Sequence, residues 1–162
     1  MRRLLATTGL GLALLAPASA GAANTRGLWA TVNTCDSAKG VIGLRASMPG
    51  NATDQRMYMR FAVQWRKADF TWADSGASSR WIRVGTARRR TVQSGYDFAF
   101  APPASGAAYK LRGKVDFRWT AKRKKGGRVV VRRATRTTSG GIRGVEGGSP
   151  KGRSDAACLL QR

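Results

Sequence analysis

Histidine is absent from this sequence, and cysteine occurs only twice in 162 residues. Without imidazole, a Ser–His–Asp triad, a histidine metal site or a histidine proton relay cannot form. Two cysteines cannot supply a four-thiolate zinc site. Acidic residues are also scarce, because 8 Asp and Glu stand against 30 Lys and Arg, which gives a formal net charge of +22. These absences exclude many enzyme classes before any motif is considered.

Long apolar runs are missing as well, apart from a short one at the N-terminus. Arg2 and Arg3 precede a Leu/Ala-rich stretch over residues 4–16 that is too short to cross a bilayer unaided. Ala18-Ser19-Ala20 then offers small residues where a signal peptidase cuts. We predict a helical signal peptide over residues 1–20, with cleavage there or up to residue 23. The expected product is a secreted protein without a transmembrane anchor.

The two cysteines lie near opposite ends of the remaining chain. Cys35 follows the first strand-like segment, and Cys158 is close to the C-terminus. In an oxidising compartment such a pair predicts a structural disulfide, and no Cys-x-x-Cys spacing indicates a redox pair. Closing so long a loop could stabilise the fold by about 4–5 kcal/mol in the chain-entropy model.

Alternation of apolar and polar residues is the dominant pattern, and it predicts β-strands with one buried face. It is clearest over Tyr109–Thr120, Tyr58–Arg66 and Tyr96–Phe100. Weaker candidates are Leu28–Asn33, Val41–Ser47, Arg80–Gly85 and Arg128–Thr138. About seven short strands separated by turn residues predict an all-β fold, a single antiparallel two-sheet sandwich over residues 27–138. The Gly-rich stretch 139–162 is predicted to be an irregular tail tied back by the disulfide.

Two local predictions follow from the same patterns. The run Ser75-Gly76-Ala77-Ser78-Ser79 is rich in turn residues, and we expect a loop there. Trp29, Trp65 and Trp119 alternate with polar residues, so we expect all three side chains in the core.

The order of these segments resembles immunoglobulin-like and fibronectin-type-III-like sandwiches. Phe98-x-Phe100, a loop and then Tyr109-x-Leu111 resemble the corner of those folds where a tyrosine braces the turn. The whole chain is also similar to small secreted proteins of high-GC Gram-positive bacteria. That second similarity lies in the pieces Cys35, Met48-Pro49-Gly50, Arg60-Phe61-x-Val63-Gln64-Trp65 and Cys158. The chain departs from antibody domains because its cysteines lie at the ends. The resemblance implies a fold and export, but no particular activity.

The basic residues are the remaining feature with functional content. If Tyr58–Arg66, Tyr109–Thr120 and Arg128–Thr138 share one sheet, strand parity places many of their cations on one solvent face. The turn Lys122-Arg123-Lys124-Lys125 would extend that face at one end. Such a surface would bind anionic polymers through counterion release. The predicted polyanion-binding residues are Arg60, Arg66, Lys110, Arg112, Lys114, Arg118, Lys122, Arg123, Lys124, Lys125, Arg132 and Arg136.

Other functions are weighed against this one. A basic surface that merely keeps the chain soluble is the plain alternative. Trp72 and Trp81 could form a sugar-binding platform if both are exposed, and two carboxylates brought together by folding could make a wall-polysaccharide hydrolase. We expect no enzyme activity, no cofactor and no metal, because the acids are scattered and no catalytic motif occurs. The expected protein is a monomer that binds an anionic extracellular polymer and has no specific nucleic-acid motif. The candidate ligands are a cell-envelope polymer, nucleic acid or an anionic lipid surface.

Overall fold

The computed structural model describes residues 27–162, and the predicted signal peptide lies outside them. The described residues form nine strands in two antiparallel sheets, which confirms an all-β fold with a sandwich-like arrangement. The strands are β1 (Trp29–Asp36), β2 (Val41–Pro49), β3 (Arg56–Arg66), β4 (Trp72–Ser78), β5 (Ile82–Thr86), β6 (Thr91–Ala99), β7 (Ala108–Lys122), β8 (Arg128–Thr137) and β9 (Cys158–Gln161).

The smaller sheet has the order β1-β2-β6, and the larger one has the order β4-β3-β7-β8. Strand β5 pairs with the first part of β3, and β9 pairs with the first part of β7. The long strands β3 and β7 are therefore the centre of the larger sheet. The prediction that the strands starting near Tyr58, Tyr109 and Arg128 share one sheet is confirmed, because β3, β7 and β8 are neighbours in that order.

The core lies between the two sheets and is built from alternate residues of their strands. On β3 these are Met57, Met59, Phe61 and Val63, and on β7 they are Leu111, Val115, Phe117 and Trp119. Across from them lie Val32 on β1, Ile42, Leu44 and Met48 on β2, and Phe98 on β6. Burying this many large apolar side chains is the main stabilising term of the fold.

Two strands were not anticipated from the sequence. The prediction of a loop over residues 75–79 is only partly right, because β4 extends to Ser78, but residues 75–77 have no partner in β3 and form a bulge between Asp74 and Ser78. Strand β4 lies at the sheet edge and contains few β-branched residues, so its sequence lacks the usual strand signal. The end of the predicted irregular tail also forms a strand, β9, whose Cys158 lies opposite Leu111. A strand of four residues is too short to show a period.

The tryptophans divide between core and surface. Trp119 is fully buried, as predicted, and its indole N–H donates to the carbonyl oxygen of Pro49 at 3.2 Å. The prediction for Trp65 is wrong, since this side chain is 43% exposed. It lies at the end of β3, beyond the reach of the smaller sheet, in an open cleft of about 240 Å³ that Phe100 and Tyr109 also line. The prediction for Trp29 is also wrong, because it is half-buried and lies opposite Ser47, which points away from the core.

The predicted disulfide between Cys35 and Cys158 is confirmed. Its Cα atoms are 5.4 Å apart and its cysteines are 123 residues apart in sequence. Because Cys35 is in β1 and Cys158 is in β9, the bond joins the smaller sheet to the larger one. It also fixes the far end of the glycine-rich stretch.

Residues 139–157, here named the covering segment, lie across the outer face of the smaller sheet. The Asp155 N–H donates to the carbonyl oxygen of Val32 at 2.9 Å. Glu146 forms an ion pair of 3.2 Å with Arg45, which points away from the core. Outward-facing polar residues of this sheet are consequently buried, with Thr31 at 0% and Ser47 at 3% exposure. Part of the outer face of the smaller sheet is thus buried, whereas Asp97 on the same face stays exposed.

Candidate functional site: the basic face of the larger sheet

The outer face of the larger sheet is bordered by many cations. Even-numbered residues of β3 and β7 alternate with core residues and so point away from the core. The predicted site residues on this side are Arg60, Arg66, Lys110, Arg112, Lys114 and Arg118. We call this surface the basic face. Arg56 and Arg133 belong to it by register, although neither was predicted.

Two predicted members are on the wrong side of the sheet. Arg132 lies opposite Trp119 and Arg136 lies opposite Val115, so both follow the core-facing set. The guanidinium carbon of Arg132 is 4.3 Å from the Trp119 ring centre. The prediction failed for two reasons. The consecutive apolar residues at the start of β8 do not show which of them face the core, and a register shift beside Trp119 changes which residues of β8 lie opposite those of β7.

The turn from Lys122 to Lys125 lies at one end of the basic face. The Arg123 N–H donates to the Gly127 carbonyl at 3.1 Å, which closes the hairpin between β7 and β8. The neighbouring Lys122 lines a depression of about 340 Å³ together with Asp54, and Asp54 pairs with Arg88. Folding therefore brings the run 88–90 to the same end as the Lys122–Lys125 turn, which the sequence alone did not indicate.

Aromatic rings support several guanidinium groups of the basic face. The guanidinium carbon of Arg112 is 4.4 Å from the Trp72 ring centre. That of Arg118 is 4.2 Å from the Trp81 ring centre and 4.7 Å from that of Tyr58. A guanidinium stacked on a ring keeps its N–H edges available for a phosphate or carboxylate. The two tryptophans considered as a sugar platform are half-buried, and each has a cation over its ring.

A hydrogen-bond chain fixes Arg112 further. Its Nε donates to Gln64 Oε1 at 2.9 Å, and Gln64 Nε2 donates to Asp74 Oδ1 at 2.8 Å. Partial burial lowers the pKa of the Arg112 guanidinium. Arginine nevertheless stays charged in proteins, so this position keeps a full positive charge at neutral pH.

The carboxylates that form ion pairs are bonded to cations outside the basic face. In the part of the chain that the structure describes, the five ion pairs join Asp36 to Lys39, Glu146 to Arg45, Asp69 to Lys67, Asp54 to Arg88 and Asp155 to Arg153. Asp74 and Asp116 are on the basic face, but they accept hydrogen bonds from Gln64 and Thr135. Within residues 27–162, no Lys or Arg of the basic face has an acidic partner within 4.0 Å.

Asp74 and Asp116 line one shallow depression of about 280 Å³, together with Arg60 and Lys114. A glycosidase needs two carboxyl groups in one cleft, one of which carries a proton. Because Arg60 and Lys114 line the same depression, it could bind an anionic group as well as a sugar.

Among residues 27–162 no group of three acids or cysteines is arranged to hold a metal ion. In the same residues, no helix is long and apolar enough to span a bilayer. No protein-family model matches the sequence, and no curated protein is significantly similar to it. The chemistry of the basic face is therefore the basis for a functional conclusion.

Proposed function

We propose that this chain is a secreted, non-catalytic binding module whose basic face binds anionic polymers. The observation that carries the proposal is the lack of ion pairs on that face within residues 27–162, although five carboxylates elsewhere are paired. A polyanion condenses counterions along its length, and cations without an acidic partner displace them on binding, which supplies the free energy. The stacked arginines add rigidity, since less side-chain entropy is lost on binding.

The proposed fold is an immunoglobulin-like sandwich whose strands β1 to β8 lie within residues 27–138, with β9 added to the larger sheet from the end of the chain. The sheet orders β1-β2-β6 and β4-β3-β7-β8 support this assignment, because neighbouring antiparallel strands come from separate parts of the chain in both sheets. The Cys35–Cys158 disulfide is compatible with the proposed export, because such bonds persist in oxidising compartments.

The test is the salt dependence of binding to heparin, a sulfated polymer used here as the probe. We expect the full chain with its disulfide intact to be retained, and log K to fall linearly with log salt. The variant Arg60→Gln/Lys114→Gln should make the fall of log K with log salt less steep by about 1.5, or about 0.7–0.9 for each lost contact. Elution together with a neutral protein of similar size would contradict the proposal.

The matched control is Arg143→Gln/Lys151→Gln, which removes the same charge from the covering segment. Both residues are exposed, and neither has an ion pair in the described part of the chain. We expect this variant to keep the wild-type salt slope. An equal loss in both variants would mean that net charge, and not the basic face, governs binding.

The contribution of the cationic turn is tested separately by charge reversal. Replacing Lys122, Arg123, Lys124 and Lys125 with Glu should lower the salt slope by a few units, because four potential contacts become repulsive. A salt slope equal to that of the wild type would show that the turn is not part of the binding site. The rest of the basic face is tested independently by the Arg60 and Lys114 variant.

A second candidate is a polysaccharide hydrolase, favoured by the shared depression of Asp74 and Asp116. It predicts release of reducing sugar from cell-wall polysaccharide by the wild type, and loss of that release in Asp74→Asn and Asp116→Asn. If no sugar is released while heparin binding persists, the binding function alone stands.

A further inference from the structure

The outward-facing side chains of β7 form one row along the middle of the basic face. The positions of this row are Lys110, Arg112, Lys114, Asp116, Arg118, Thr120 and Lys122. Thr120 is covered by Arg128, whose Nε donates to Thr120 Oγ1 at 2.9 Å and whose Nη2 donates to the Thr120 carbonyl at 2.6 Å. Every position of the row except Asp116 therefore presents a cation.

The spacing of this row follows from strand geometry. Alternate residues of an extended strand are separated by about 7 Å, and the twelve-residue interval from Lys110 to Lys122 spans about 40 Å. The neighbouring strands add cations beside the row, with Arg60 opposite Asp116 and Arg133 opposite Arg118. Placing Arg118 and Arg133 directly opposite each other is unfavourable for folding by itself. A bound anion between them would relieve that repulsion.

A row of cations about 40 Å long discriminates between polyanions by shape. One turn of duplex DNA is about 34–36 Å long. Over about 40 Å each of its two backbones therefore winds once around the helix axis. For part of that length the phosphates of each backbone face away from a flat protein surface. A flexible single strand can follow the row throughout, with one phosphate for each outward-facing position of β7. The row thus favours a flexible chain over a rigid duplex.

The aromatic rings of this face indicate which part of such a chain is recognised. Trp72, Trp81 and Tyr58 each have a guanidinium over the ring, so these rings are not open platforms for bases. Proteins that bind single strands through their bases stack them on open rings. Here the groups that face the ligand are cations, which recognise phosphates.

We infer that the ligand of the basic face is a single-stranded, flexible phosphodiester polymer that lies along β7 and is bound through its phosphates. This inference rests on the proposed function and specifies its ligand. It includes nucleic acid single strands and base-free phosphodiester polymers, because both present the same charged repeat.

The test measures affinity for fluorescent dT oligomers of increasing length, an abasic oligomer and a 20-base-pair duplex. Affinity should rise steeply with length up to about seven phosphates and then only slowly, with a limiting salt slope of about 0.7 per contact. The abasic 12-mer should bind within about twofold of dT12, because Trp72, Trp81 and Tyr58 beside the row each have a guanidinium over the ring. The duplex should bind more weakly than dT20.

Asp116 supplies an internal test, because it is the one anionic position of the row. The variant Asp116→Asn keeps an oxygen that can accept the Thr135 hydroxyl, which lies 2.7 Å from Asp116 Oδ1. It should tighten dT12 binding about fivefold at low salt, because a like charge close to a bound phosphate is removed. The control Asp97→Asn removes the same charge from the smaller sheet and should leave dT12 affinity unchanged.

The outcomes separate this inference from the proposed function. If heparin and every oligomer fail to bind, the proposed function itself is wrong. If heparin binds but dT affinity shows no break with length, or the duplex binds as tightly as dT20, the single-strand inference is wrong and the basic face remains a polyanion site. A preference of more than about tenfold for dT12 over the abasic oligomer would overturn recognition through phosphates, since stacked bases contribute that much. If Asp116→Asn and Asp97→Asn tighten dT12 binding equally, the inference that the ligand lies along the row of β7 is also wrong.

Discussion

The outer faces of the two sheets begin from a similar strand pattern and end in opposite environments. On the smaller sheet, Thr31 and Ser47 point outward and are nevertheless buried, because residues 139–157 lie over them. On the larger sheet, Lys110 and Arg60 point outward and are exposed. Alternation therefore decides which side of a strand faces the core, but the path of the rest of the chain decides whether the other side meets water.

The charges of the two faces differ in the same way. Arg45 on the smaller sheet pairs with Glu146 of the covering segment. Arg118 on the larger sheet contacts Trp81 and Tyr58 and forms no ion pair among the described residues. A paired, covered cation contributes to folding, whereas a stacked, unpaired one keeps its charge for a ligand. Five measurements test this difference between the two faces.

The largest effect is expected from removing the disulfide that holds the covering segment. Cys35→Ala/Cys158→Ala should lose about 4 kcal/mol of unfolding free energy in urea, because a bond across 123 residues no longer constrains the unfolded chain. Amide hydrogen exchange over 139–157 should become faster than in β3 and β7. Reduced wild type should lose a similar amount. Unchanged stability with full protection of the covering segment would show that its contacts suffice without the bond.

A smaller loss is expected where the covering segment approaches the smaller sheet most closely. A Cβ on Gly148, at a φ of +92°, would lie 2.5 Å from the Asn33 carbonyl oxygen, whereas one on Gly147, at +70°, would meet open space. Gly147→Ala should cost about 1 kcal/mol for the left-handed backbone alone. Gly148→Ala should cost at least about 1 kcal/mol more in thermal or urea unfolding. Equal costs would mean that the segment does not press on Asn33.

A still smaller effect on stability is expected from the stacked arginines of the larger sheet. Arg118→Lys keeps the charge but loses the planar contact with Trp81 and Tyr58, so we expect a loss of about 0.5–1 kcal/mol in urea unfolding. Arg89→Lys, in an exposed turn, is the control and should change stability by less than about 0.5 kcal/mol. If the two variants are equally stable, the rings do not hold Arg118 in place.

The smallest expected effect is on the pH dependence of stability, which should come from the paired carboxylates and not from the basic face. The hydrogen bonds and charge of Arg88 lower the pKa of Asp54, and hydrogen bonds from Thr71 lower that of Asp69. Both carboxylates therefore stabilise the fold above their usual pKa, and this contribution is lost as pH falls through the lowered pKa. Unfolding measured between pH 2 and 5 should be slightly less pH-dependent in Asp54→Asn than in wild type.

Heparin binding provides the complementary measurement. Because the basic face contains Lys and Arg but no His, its charge should stay constant and affinity should be flat from pH 5 to 9. A midpoint near neutral pH would indicate a titrating group that the basic face does not contain.

Much of the fold could be predicted from local patterns. The alternation of β3 and β7 predicted strands and their buried sides correctly, because a period of two survives in a long, half-buried strand. Short edge strands such as β4 and β9 carry too few residues to show a period, so they were missed. Trp65 has the right phase for the core but lies beyond its edge, and no local pattern reports where the partner sheet ends.

The sequence by itself determined the excess of positive charge, the two cysteines that bond and the alternation that places six predicted cations on one side of a sheet. Only the tertiary structure decided that Arg133 joins them while Arg132 and Arg136 do not, because register is a relation between strands. It also decided which sheet is covered and which cations lack an acidic partner. Those properties depend on long-range contacts, and a linear pattern of residues holds no information about which distant segments will meet.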